Sequence, residues 1–352
     1  MYQKFLFVLF ACTLVFLGQS CFFDKGKDIP DVSNIKVNVE IKDFHQRLFS
    51  IDTNDIKNGI DALHKDFPAF SDVYFMNVRP FRRTPVLDEP FYNNVKSYLS
   101  SPDIRKLADT TAIVFSDFSK YQKELNQAFQ FYKHYFPEKN IPIIYPFISS
   151  FNYSAFIFSI DEQQDGIGIG LDMLLGKDYP YWKMGIRNPA FSNYITRSWT
   201  PEHLTKKTLD PLIEDMVAIP ESDRLLDLII YNGKKLYLSD ILLPYTPDSI
   251  KWEYSTPQTE WVINNERHMW SHFLTEKLLY ETNISKTKKL VDQSPSSPGM
   301  PPESPGRTGN YMGLRIIQAF MEKNPDVTVQ QMIDMDAQKI FDKSKYKPRI
   351  RK

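Results

Sequence analysis

The sequence predicts an α+β fold, mainly helical, with one small mixed sheet near the middle packed by helices. Three observations predict it. A long helical signature runs from Phe118 to Phe136, three short strand-like runs follow between residues 141 and 176, and nearly everything after Trp199 carries helical spacing. No repeat of solenoid length interrupts this order.

The first residues are a separate object. MYQK carries one Lys, Phe5 to Leu17 is an unbroken apolar run, and Gly18, Gln19 and Ser20 lead to Cys21. This is the order of an export signal, and the run is shorter than the roughly 20 apolar residues that span a bilayer. A signal peptide over 1–20 is expected, with Cys21 as the lipidated residue at the new N-terminus. The usual lipidation box has an aliphatic residue three before the Cys; here Gly18 stands there and Leu17 one further back. Cys12, the only other Cys, lies inside the apolar run, so a chain beginning at Cys21 has no internal disulfide.

Residues 21–34 read as a lipidated tether, with Gly, Pro and several charges in FFDKGKDIPDVSN. Residues 35–352 are expected to form a single globular domain. Within it, Ile35 to Ile41 alternates apolar and polar residues like a half-exposed strand, and Ile56, Ile60 and Leu63 mark a helix that ends before Pro68. In the 118–136 helix the apolar positions Phe118, Tyr121, Leu125, Phe129, Tyr132 and Phe136 form one stripe, which reads as core.

The strand-like runs are Ile141 to Ile148, Ser154 to Ile160 and Gly166 to Gly176, the last two separated by the polar turn DEQQD. Helical stretches follow, one opened by Ser255 and Gln258 at capping-box spacing with Pro257 in its first turn. A Pro-rich loop at 292–306 then leads into ESPGRTGNYMGLRIIQAF, where Gly306, Gly309 and Gly313 enter a helix with an apolar face of Leu314, Ile317, Phe320 and Met321.

Composition excludes some partners. Lys plus Arg (43) equals Asp plus Glu (43), so no overall field selects nucleic acid. Aromatic content of 14% indicates ordered packing. The basic ending KSKYKPRIRK reads as a solvated tail that could touch anionic headgroups.

Candidate chemistry is sparse. GRTGNYMG lacks the Gly-Lys-Ser/Thr ending and the preceding strand of a phosphate loop, so no nucleotide is expected and the three glycines are read as structural. His268 and His272 lie four apart, as zinc ligands do, but Met269 occupies the place of the general-base Glu and no third ligand is evident. No Gly-x-Ser-x-Gly elbow is present. No catalytic residue, metal or cofactor is therefore assigned.

Several stretches taken together resemble one family. Cys21 in its box, GLDMLLGKDYPYW (from Gly170), DLIIYNGKKLYLSDILLP (from Asp227), the helix around NNERHMW, ESPGRTGNYMGLRIIQAFM and the ending IFDKSKYKP are similar to the gliding-motility lipoproteins of Bacteroidota, the GldB type. The resemblance implies a non-enzymatic lipoprotein of the cell envelope, anchored on the periplasmic side of a membrane through Cys21. Its partners would be other envelope proteins of the gliding and secretion machinery. Arg307, Tyr311, Asp172 and Trp270, within or beside these motifs, are the candidate contact residues.

A more distant resemblance is to the zincin metallopeptidase scaffold. Glu214 in LIEDMVAI would stand for the catalytic Glu, with Ile213 and Val217 where the two His belong, so this implies a zincin-like fold without a metal site, a pseudoenzyme. Two other functions compete: a metal-dependent hydrolase of the zincin type using His268 and His272, and an envelope glycan- or peptide-binding module using its many aromatics.

Overall fold

The computed structural model describes residues 29–82, 87–186 and 188–348. The chain separates into a first unit, Met1–Asp31, and a second, Val32–Lys352, which holds every element named below. The expected signal peptide, Cys21 and the end of the basic tail lie outside the described residues.

The second unit begins with short helices α1 (Phe44–Phe49), α2 (Ile56–Asp66) and α3 (Pro68–Val73), then α4 (Glu89–Ser100), α5 (Pro102–Val114) and α6 (Ser119–Tyr135). Pro68 ends α2 and starts α3, because a Pro is tolerated in a first turn and disfavours helix in the residue before it. Phe44, Phe70, Tyr74, Phe75 and Phe91 are fully buried together. Their rings meet edge-on and stacked: Phe44 lies 4.7 Å from Phe70, which lies 4.8 Å from Tyr145 of the sheet.

The sheet has three strands, β1 (Ile143–Phe147), β2 (Ala155–Ser159) and β3 (Asp165–Gly170), in the order β1-β3-β2. β3 runs parallel to β1, with Ile144 opposite Ile167, and antiparallel to β2, with Ile157 opposite Ile167. The sheet is therefore small, mixed and packed by helices. In β3 the alternation Gly-Ile-Gly-Ile serves two faces. Ile167 and Ile169 are fully buried on one, while the other leaves room for rings: a Cβ at Gly166 would come within 2.4 Å of Phe158.

The expected strand over Ile35 to Ile41 is not a strand. Only one parallel bridge forms, between Ile41 and Ile144, through Lys42 N–H to Ile144 O (2.8 Å) and Ile144 N–H to Glu40 O (2.9 Å). The upstream backbone is instead bound by helix α6. Asn126 accepts from Val39 N–H (2.8 Å), Gln122 donates to Val39 O (2.9 Å), and Gln130 donates to Ile35 O (2.8 Å). These amides at steps of four make one ladder along the helix, replacing the partner strand. The third run is also shorter than expected. β3 stops at Gly170, and a 3₁₀ turn, Leu171–Leu174, sends Leu171 and Leu174 into the core.

The remainder is helical: α7 (Leu204–Met216), α8 (Leu225–Leu242), α9 (Asp248–Trp252), α10 (Thr256–Asn264), α11 (Glu266–Thr275), α12 (Ile284–Val291), α13 (Thr308–Lys323), α14 (Val329–Ile333) and α15 (Ala337–Ser344). The capping box at Ser255 and Gln258 is formed. α8 buries residues on nearly every side and is the central helix of this half.

α13 crosses α8 with backbone against backbone. A Cβ at Gly233 would come within 2.4 Å of the Gly313 carbonyl carbon, and one at Gly313 within 1.7 Å of the Ile229 oxygen. Gly306 and Gly309 are equally tight against Ser294 O and Leu290 O. The glycines of ESPGRTGNYMG thus serve close approach. Gly313→Ala is expected to lower stability by about 3 kcal/mol through overpacking, read from the urea midpoint. An unchanged midpoint would contradict the crossing.

Candidate functional site

A cavity of about 650 Å³ opens between α7, α8, the residue after α9, the end of α12 and the start of α13. Its walls are charged, and among the described residues no aromatic ring lines it. The organising residue is Glu253, which caps α9 in the left-handed conformation (φ 54°) and is buried. That strained turn aims the carboxylate back at three cations. Lys206 Nζ lies 3.0 Å away, Arg307 Nη1 3.7 Å away, and Lys207 is also in contact.

The backbone of Glu253 is bound as firmly. Its carbonyl accepts from Arg197 Nη2 (2.9 Å) and Arg307 Nη2 (3.1 Å). Arg307 is itself left-handed (φ 60°) at the cap of α13, its guanidinium above the Tyr254 ring. Two non-glycine residues with positive φ therefore face each other across the cavity rim, each holding the other in place.

Electrostatics follow from the grouping. Burial alone would raise the Glu253 pKa, but Lys206, Lys207 and Arg307 overcome it and hold the carboxyl well below the usual range. Burial would lower Lys206, yet Asp210 and Glu253 keep its ammonium above its ordinary value. In the wall itself, Lys251 sits between Asp240 and Asp248, at 2.8 Å from each, and is raised in the same way.

Residues 25–348 match the family described as gliding motility protein GldB. The chain belongs to that family. No curated protein and no solved structure matches it. The matched span takes in every element of the second unit and thus the whole cavity.

In this GldB-family chain the residues singled out from sequence have different fates. Arg307 lines the cavity. Tyr311 is buried and donates to Glu266 Oε2 (3.1 Å), a buried carboxylate that also accepts from Arg315 Nε (3.0 Å) and Tyr346 Oη (2.7 Å). Trp270 is buried beside that network, edge-on to Tyr346 at 5.0 Å. Tyr311 and Trp270 are thus interior residues joining α11, α13 and the C-terminal segment, placed there by apolar faces that outweigh their polar atoms.

Asp172 is completely buried. It accepts from the N–H of Ser149 (3.1 Å) and Phe151 (2.6 Å), so it fixes the turn in which Ser150 and Phe151 both have positive φ. His268 is exposed on α11, while His272 is half-buried against Gly299 of the Pro-rich loop. Ile213 and Val217 are both buried, but Val217 is past the end of α7 in extended backbone, so the two do not share a helix face. Glu214 reaches the cavity rim and pairs with Lys235 at 3.6 Å. Among the described residues no group of three or more His, Cys, Asp or Glu is placed to hold a metal.

Sequence reasoning missed Lys206, Lys207, Lys235, Lys288 and Glu253. Lys206 and Asp210 show readable i, i+4 spacing, but nothing local marks Glu253, whose partners are over forty residues away.

One pH dependence follows. Burial pushes the Asp172 carboxyl up to about 6 from 3.8, and the N–H groups of Phe151 and Ser149 oppose this only in part. A carboxyl that holds its proton more tightly in the folded state contributes stability fully below about pH 3.8, and loses it as pH rises through about 6. Asp172→Asn is therefore expected to shift the difference in urea midpoint between variant and parent in the variant's favour as pH goes from 4 to 6. Parallel profiles for the two proteins would contradict it.

Proposed function

We propose that this chain is a lipid-anchored envelope protein of gliding motility, held on the periplasmic side of a membrane by an acyl group on Cys21 and acting through protein contacts. The observation that carries the reading is the family match over residues 25–348. The leader with a single Cys after its apolar run supports the anchor.

A contact role is supported by the cavity's charges. General acid–base catalysis works best with groups titrating near the operating pH. Here Glu253 is driven far below neutrality, whereas Lys206 and Lys251 are driven above their ordinary range. Asp172, which does titrate near neutrality, has its oxygens occupied by backbone donors inside the fold. The groups hold shape and present charge.

Cys21→Ala in cells that glide by means of this chain is expected to abolish incorporation of an alkyne-tagged fatty acid into the protein and to stop spreading on agar. Continued labelling would remove the anchor, and normal spreading by an unlabelled protein would separate the anchor from the role.

A further inference from the structure

The charged cavity has an unbalanced rim. Leaving aside Lys251, whose charge Asp240 and Asp248 take up, five Lys or Arg side chains line it against four Asp or Glu, and Asp210 and Glu253 are already engaged by Lys206 and its neighbours. Lys235 pairs with the exposed Glu214 at 3.6 Å and lies over the Tyr231 ring at 4.4 Å, while Lys288 on α12 is exposed, with no carboxylate partner among the described residues. Arg307 and Asn310 lie on the first turn of α13 between them. Arg307 Nε is a buried donor without an acceptor, and Asn310 Oδ1 a buried acceptor without a donor. Buried polar atoms left unpaired cost stability, so such a pair at a cavity wall marks a place for a ligand that carries both functions.

Two ligand chemistries suit an excess of cations. A phosphate gathers two charges and its hydrogen-bonding oxygens at a single point, and it would face Glu253, Glu214 and Asp292 on the same walls. A peptide bearing carboxylates offers single charges, spaced apart, together with amide N–H and C=O groups. It can satisfy the Arg307 and Asn310 atoms and use the wall amides of Asn232 and Gln293. The cavity volume falls within the range of about 300–1,000 Å³ usual for binding clefts.

We propose that this cavity receives an acidic peptide segment of a partner protein, its carboxylates taken by Lys235, Lys288 and Arg307 and its backbone by Asn310. The inference rests on the protein-contact reading above and names the contact. The half-buried Lys235 and the exposed Lys288 make no contact with the Glu253 carboxylate, so they can be changed without disturbing that cluster.

The test uses the purified chain and a fluorescein-labelled (Gly-Asp)4 peptide, with (Gly-Asn)4 and inorganic phosphate as comparisons. Saturable binding of (Gly-Asp)4 is expected at 50 mM NaCl. It should weaken about tenfold in Lys235→Gln/Lys288→Gln, be suppressed by 0.5 M NaCl, and be absent for (Gly-Asn)4. Urea midpoints equal to the parent's confirm that the variant is folded. Should it be unfolded, the two single substitutions replace it, each expected to weaken binding about threefold. No binding, or binding that the substitutions leave unchanged, overturns the proposal. So does phosphate that competes and depends on the same lysines, since the site would then be one for small anions. The assay needs neither anchor nor motility. A chain that is acylated and supports gliding but ignores the peptide would therefore defeat this inference and leave the proposed function standing.

Discussion

Nothing larger than hydrogen fits between α8 and α13 where they cross. Gly233 and Gly313 let the two backbones touch, and this sets the height at which the first turn of α13 meets its neighbours. Arg307, one turn and a half before Gly313, can reach the Glu253 carbonyl only because the crossing brings α13 so near. The loop before it is then fixed as well. Ser297 Oγ donates to Pro305 O (2.8 Å), and Tyr254 Oη donates to Gly306 O (2.9 Å). The Pro-rich loop is thereby a packed wall.

Besides Lys251 with its two aspartates, two charge clusters stand around this scaffold, one about Glu253 at the cavity and one about Glu266 in the interior. Each surrounds one carboxylate with donors from distant segments, and neither is an isolated pair on the surface, where an ion pair contributes little. In both, removing the carboxylate would leave several buried cations or hydroxyls facing one another. The cost of that arrangement, more than any attraction within it, keeps the segments in register.

What could be read from sequence follows periodicity. The α6 stripe, the helix stop before Pro68, the capping box at Ser255 and the β2–β3 turn are all short-range patterns, and each stands where its spacing puts it. Ile35 to Ile41 misleads because alternation reports which side chains are buried, not what binds the backbone, and helix amides bind it here. Tyr311, Trp270 and Asp172 could not be placed inside or outside by residue type, since aromatic and acidic side chains occur in both settings. The cavity was illegible for another reason. Its lysines come from four helices, and only folding brings them to one rim.

The amide ladder on α6 has a mechanical meaning. Any pull exerted on the chain N-terminal to Val32 meets Ile35 and Val39 first, then the single bridge at Ile41, before it reaches the sheet. The first of those fastenings are side chains of one seventeen-residue helix, so tension enters the body through a rigid rod and is shared along its length. The aromatic core begins at Phe44, three residues past the bridge, so a pull from that side meets these fastenings before it meets the core.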